Sequence, residues 1–173
     1  MDRKAPVINT SVVTALYFAR RFDQAIEQIH KGLEIDANHF LPHFRLGQVY
    51  IQTKQYDSAI ASMQKAMALS GLSTETRAGL AQAYAAAGSR VQAQALLDEL
   101  KRQSLQSYVS PYLMSKICIC LCDENETLVW LEKACEARDP DLIELRVEPL
   151  FDRIRSSQRL HMLLNRLSRG ASS

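Results

Sequence analysis

The fold is decided by residues 46–67, LGQVYIQTKQYDSAIASMQKAM. Leu46, Val49 and Tyr50 have the spacing of one helix face, and Ala59 and Met63 have the same spacing after a polar turn at residues 53–55. Apolar residues three and four positions apart are typical of amphipathic helices. The stretch therefore predicts two antiparallel helices joined by a short turn.

The same pattern recurs along the chain with a spacing of 34 residues. Equivalent positions are Ala25, Ala59, Ala93 and Thr127; Ile29, Met63, Leu97 and Leu131; and Leu16, Tyr50, Tyr84 and Cys118. A fixed period of this length indicates stacked helical units, each of which depends on its neighbours to bury its apolar face. Small residues at Ala25, Ala59 and Ala93, with Gly47 and Ala81 on the first helices, allow the paired helix backbones to approach.

These residues resemble the tetratricopeptide repeat (TPR) family. The second unit matches its pattern at Leu46-Gly47, Tyr50, Tyr56, Ala59 and Ala66, with His43 at a usually aromatic position and Gly71 in place of the terminal proline. The third unit keeps Leu80, Ala81, Tyr84, Gly88 and Ala93. The resemblance implies one domain, an all-α, right-handed α-solenoid of four units at about residues 6–39, 40–73, 74–107 and 108–140.

The tail departs from the repeat after Asp139-Pro140. Leu160, Leu163 and Leu164 recur at helical spacing, which predicts a C-terminal capping helix with a short lead-in within residues 141–168. We expect both ends of the chain to be disordered. The tail also resembles the ending of TPR arrays in some bacterial multidomain regulators, so an alternative role is a regulatory or oligomerisation arm of a larger bacterial signalling or transcription-regulating protein.

Composition limits the classes of function. Apolar residues make up 47% of the 173 residues and the net charge is +2, which does not predict general binding of nucleic acid. Five arginines in the tail could contact phosphates, but arginines also fit the solvent side of a capping helix, and we prefer that interpretation: Arg153, Arg155, Arg159, Arg166 and Arg169. An RNA-binding solenoid is thus a weaker alternative. No apolar run is long enough for a membrane span, and we expect a cytoplasmic protein.

Metal and catalytic sites are disfavoured. Cys118, Cys120 and Cys122 alternate, and helix geometry points Cys120 away from the other two. His39 and His43 have no third ligand at a suitable spacing. Since no nucleophile elbow, phosphate loop or pair of catalytic carboxylates occurs either, we expect no cofactor, no metal and no enzymatic activity.

The resemblance implies a binding groove lined by the first helix of each unit. The predicted groove residues are Tyr17, Phe44, Gln48, Gln82, Tyr112 and Lys116. Aromatic side chains beside glutamine amides suit an apolar segment whose backbone needs hydrogen bonds, either an extended peptide or one face of a helix. Some neighbouring positions, such as Ala78, Ala85 and Ile119, are better explained by packing between first helices. We therefore expect a protein-interaction module that binds a partner protein in this groove, with a homo-oligomer also possible.

Overall fold

The computed structural model describes the backbone of residues 5–170 and the side chains of residues 11–167. Helices form four consecutive pairs. The pairs are α1 (Ala5–Phe18) with α2 (Phe22–Ile35), α3 (Phe40–Gln52) with α4 (Tyr56–Ser70), α5 (Thr74–Ala86) with α6 (Arg90–Ser104), and α7 (Pro111–Cys120) with α8 (Glu124–Glu136). No strand occurs between residues 5 and 170. The prediction of an all-α repeat fold is confirmed, while the predicted disorder of the ends concerns residues 1–4 and 171–173, outside the described part.

The turn inside each pair repeats the same backbone conformation. One residue in each turn has a positive φ, namely Arg20, Lys54, Gly88 and Cys122. The next residue donates its N–H to a carbonyl five positions earlier, as in Gln55 N to Tyr50 O at 2.9 Å and Ser89 N to Tyr84 O at 2.9 Å. Each bond satisfies a carbonyl that the end of a helix leaves without a partner. The period seen in the sequence is therefore also a period of the backbone.

Small residues lie where the paired helices cross. Ala25, Ala59, Ala93 and Thr127 are fully buried. A Cβ atom at Gly47 would lie 2.8 Å from Cγ of Met63, closer than side-chain packing allows. The close approach of α3 and α4 thus depends on the small residues that the sequence pattern contains.

The first helices, α1, α3, α5 and α7, pack side by side and form one face of the solenoid. We call this face the groove; the second helices lie behind it. Ser110 and Asp123 cap α7 and α8 by accepting the N–H groups of Leu113 and Glu126. Serine and aspartate are both residue types that are common at helix N-caps.

The tail begins with two short 3-10 helices, η1 (Pro140–Arg146) and η2 (Pro149–Ile154), and ends in α9 (Gln158–Gly170). Helix α9 packs against α8, and Leu160 and Leu163 share a buried apolar cluster with Leu128 and Leu131. The lead-in to α9 is longer than the sequence suggested. Residues 140–157 run across the groove before the chain returns to α8.

Candidate functional site: the groove and the segment that fills it

The six predicted groove residues lie on the first helices and are all buried. Their exposed fractions are Tyr17 2%, Phe44 3%, Gln48 5%, Gln82 2%, Tyr112 1% and Lys116 3%. Buried polar and charged side chains need partners. Several of these partners come from the tail.

Glu148 connects the two ends of the groove. Its Oε1 accepts a hydrogen bond from the Tyr17 hydroxyl at 2.6 Å, and Lys116 Nζ lies 2.9 Å from Oε2. Tyr17 belongs to α1 and Lys116 to α7, so a single carboxylate bridges the first and the fourth helix pair. Gln52 extends the cluster by donating from Nε2 to the Tyr17 oxygen at 3.3 Å.

The Glu148 carboxylate is held in its charged form. Burial alone would raise its pKa, but the charge of Lys116 and hydrogen bonds from Tyr17, Lys116 and the Leu150 N–H outweigh burial and lower the pKa. Burial and the charge of Glu148 raise the pKa of Tyr17, which keeps its proton and remains a donor. Lys116 Nζ also lies 5.6 Å from the centre of the Tyr112 ring, a cation–π contact. The site is an ion pair in an apolar surrounding.

Apolar side chains of the tail flank this ion pair. Leu150 packs against a cluster of the second and third helix pairs that includes Phe44 and Leu80. Phe151 is fully buried, and its ring centre lies 5.8 Å from that of Tyr112. The stretch Glu148-Pro149-Leu150-Phe151 thus places one carboxylate and two large apolar groups in the groove.

A second ion pair joins the tail to the turn between α1 and α2, at the rim of the groove. Arg20 Nη2 lies 2.7 Å from Oδ1 and 2.8 Å from Oδ2 of Asp152, and Arg20 Nε donates to Oδ2 at 3.2 Å. Arg155 also contacts Asp152, and it donates to the carbonyl of Glu148 at 3.0 Å. The Arg20 and Asp152 side chains are more than 40% exposed, so we expect a weaker contribution than that of the buried pair.

Asp139 fixes the place where the tail leaves the repeats. One carboxylate oxygen accepts from the Ser110 hydroxyl at 2.6 Å and from the Tyr112 N–H at 3.1 Å, and the other accepts from the Asp141 N–H at 3.1 Å. These bonds cap η1 and tie it to the start of α7. Their position directs the tail into the groove.

The groove also contains buried polar atoms to which the tail supplies no hydrogen-bond partner. Arg45 donates from Nη1 to the Gln48 amide oxygen at 2.8 Å, while Arg45 Nε is buried with no hydrogen-bond partner among the described residues. The buried Tyr112 hydroxyl likewise has no such partner there. Unpaired buried donors cost about 1–3 kcal/mol each.

The sequence patterns do not identify Glu148 and Asp152 as residues of the site. For Glu148, the signal in the sequence is an acidic residue directly before a proline, which is typical of a helix N-cap and occurs at Asp139-Pro140 and Glu148-Pro149. Asp139 does cap η1, and Glu148 caps η2. The pattern says nothing about the partners across the groove, since Tyr17 is 131 residues from Glu148.

The cysteines and histidines have local roles. Cys118 is buried, which raises its pKa to about 12, and all four cysteines are free. His39 caps α3 by accepting the Leu41 N–H, and His43 Nε2 lies 3.0 Å from the Ala37 carbonyl oxygen. Within the described residues, no three His, Cys, Asp or Glu side chains are grouped as metal ligands.

Three of the tail arginines pair with protein groups. Arg153 lies 3.5 Å from Glu124, Arg155 contacts Asp152, and Arg159 pairs with both oxygens of Glu132 at 2.7 and 2.8 Å. Arg166 is exposed, and the side chain of Arg169 lies outside the described part. The pairing agrees with a structural and solvent-facing role for these three side chains.

Comparison with known proteins identifies the repeats. The family model described as tetratricopeptide repeat matches residues 54–117, which span α4, the third helix pair and most of α7. No curated protein matches the chain significantly. Residues 54–117 are therefore tetratricopeptide repeats, and the all-α stack of helix pairs in the described residues is consistent with a tetratricopeptide-repeat solenoid.

Repeats of this family generally mediate protein–protein interaction and are typically not catalytic. Among the described helices, none is long and apolar enough to cross a membrane.

Proposed function

We propose that this chain is an interaction module whose groove binds a peptide or helical segment of a partner protein. The contacting residues of the proposal are Tyr17, Phe44, Gln48, Gln82, Tyr112 and Lys116. One observation carries it: the groove already holds a polypeptide segment, whose Glu148 bonds to Tyr17 and Lys116. A surface that binds a segment of its own chain has the shape and chemistry to bind a similar segment of another protein.

The groove supplies both parts of a recognition site. The cluster around Phe44 and Leu80 accepts a large apolar side chain, and Lys116 with Tyr17 accepts an acidic one. Apolar burial gives affinity, while a paired buried charge penalises partners that lack the matching group. A second copy of this chain carries the same segment, so a homo-oligomer belongs to the same proposal.

The proposal involves no catalytic step, no metal and no cofactor. Four free thiols, including the buried Cys118, suit a reducing compartment, and on that basis we also propose a cytoplasmic location.

Site-specific photo-cross-linking in the source cell tests the binding face. A photoreactive amino acid replaces Gln52, which bonds to Tyr17 at the groove, or Gln94, an exposed residue of α6 on the opposite side. We expect protein adducts from position 52 and not from position 94. Adducts from position 94 alone would move the binding site to the second helices.

A further inference from the structure

We propose that Val147–Asp152 is an intramolecular ligand of the groove, and that the partner segment that displaces it presents a carboxylate followed by large apolar side chains. This inference rests on the proposed function, because it specifies the chemistry of the segment that the same groove binds.

The carboxylate follows from the burial of Lys116. Its side chain is only 4% exposed, and its ammonium group forms an ion pair with Oε2 of Glu148 at 2.9 Å. A buried ammonium group without an anion is strongly destabilising. Any segment that replaces Glu148 must therefore bring a negative charge to the same place, where the Tyr17 hydroxyl also donates.

The apolar groups follow from the residues after Glu148. Leu150 lies on the cluster that includes Phe44 and Leu80, and Phe151 lies beside Tyr112. The acid and these two side chains occur within four consecutive residues. A partner segment needs the same order, an acid first and an aliphatic and an aromatic side chain two and three positions later.

The tail does not provide hydrogen-bond partners for every buried polar group of the groove, so a competing segment can form additional bonds. The Tyr112 hydroxyl and Arg45 Nε are buried and have no hydrogen-bond partner among the described residues. The contact of Arg20 with Asp152 is exposed to solvent. A segment that also accepts from Tyr112 or Arg45 gains bonds that the tail does not make.

The closed state, in which the tail occupies the groove, nevertheless predominates. Leu145, Phe151 and Ile154 are buried in a cluster with α8 and α9, and Asp139 attaches the start of the tail to α7. A short tether gives the tail an effective concentration in the millimolar range, far above that of a free segment. The groove therefore opens only as a minor state in the absence of a partner.

A peptide competition experiment with the full chain tests the inference. The probe is a fluorescent peptide with the sequence of residues 144–155, ELRVEPLFDRIR, and the matched control peptide has glutamine in place of its Glu148. Fluorescence anisotropy measures binding to the wild-type chain and to the Glu148→Gln chain. In the variant, the tail no longer neutralises Lys116 and competes less well.

We expect the probe to bind the Glu148→Gln chain at least tenfold more tightly than the wild-type chain. The control peptide should bind the variant at least tenfold more weakly than the probe does. A folded Glu148→Gln chain that binds neither peptide, or both equally, overturns the inference. Adducts from position 52 in the cross-linking experiment would then still support the groove as a partner site, so the two failures are distinguishable.

Hydrogen exchange of the wild-type chain decides the matter if the variant does not fold. The amides of Glu148, Leu150 and Phe151 are hydrogen-bonded in the closed state, to Glu144 O, Glu148 Oε1 and Glu148 O. An intramolecular ligand detaches without global unfolding, so these amides should exchange at least tenfold faster than the slowest amides of α3–α6. Equal rates, set by global unfolding, mean that the segment is a permanent part of the core and overturn the inference.

Discussion

The Tyr17 hydroxyl donates to Glu148 at 2.6 Å across 131 residues of sequence. Tyr17 lies in the last turn of α1, and Glu148 directly precedes η2 in the tail. Because Lys116 of the fourth pair contacts the same carboxylate, the bond also ties the first pair to the fourth. The tail therefore covers the groove and joins its two ends through a buried ion pair.

Breaking one side of the buried ion pair should destabilise the chain more than removing both. Lys116→Met leaves the Glu148 carboxylate buried without its counter-ion, and we expect a loss of about 3–5 kcal/mol in the free energy of unfolding. The double variant Lys116→Met/Glu148→Gln should recover part of that loss. Urea unfolding compares the wild-type chain, Lys116→Met, Glu148→Gln and the double variant, with Lys65→Met as an exposed control that stays within about 0.5 kcal/mol of wild type. Additive effects of the two changes would contradict the pairing.

The ionisation of Glu148 should contribute to the pH dependence of the free energy of unfolding. Its pKa is lower in the folded chain than the usual value of 4.5, so its contribution is present above that value and is lost as the pH falls through the lower folded pKa. Asp152 has a lowered pKa as well and acts in the same direction, whereas the raised pKa values of Asp141 and Glu144 oppose it.

Melting temperatures of the wild-type and Glu148→Gln chains between pH 7 and pH 3 test this linkage. The wild-type chain should be the more stable at pH 7, and the difference should shrink below about pH 4.5. Glu34→Gln, at an exposed position, is the matched control. A difference that is the same at every pH would show that the charge of Glu148 does not matter for stability.

The helix crossing of the second pair should not tolerate a large side chain. Ala59 is fully buried, and Ala59→Trp should destabilise the chain by about 1–3 kcal/mol or more because it overpacks a close-packed contact. Ala61→Trp places the same side chain on the exposed side of α4 and should have little effect. Thermal unfolding followed by circular dichroism compares the two. Equal melting temperatures would place the crossing elsewhere.

The turn of the second pair should be improved by glycine. Lys54 has φ +60°, a conformation in which a Cβ atom is strained, so Lys54→Gly should stabilise the chain by up to about 1 kcal/mol. Lys65→Gly, in the middle of α4, should instead destabilise it by about 1 kcal/mol. Chemical denaturation of both variants measures the difference, and a loss of stability in Lys54→Gly would contradict the left-handed turn.

The sequence alone determined the repeating part of this protein. The positions of Ala25, Ala59 and Ala93 predicted the helix crossings, since helix periodicity and close packing of paired helices depend on residues near one another in the chain. The tetratricopeptide-repeat match over residues 54–117 lies in this part.

Only the tertiary structure decided the route of the tail and the environment of the groove. The leucines of α9 predicted a capping helix, but no local pattern relates Glu148 to Tyr17 or Asp152 to Arg20. Those contacts exist because the four stacked pairs bring α1 and α7 within reach of one segment, which is a property of the whole solenoid. The burial of the six predicted groove residues has the same origin, since the tail that helps to cover them is folded back from the far end of the chain.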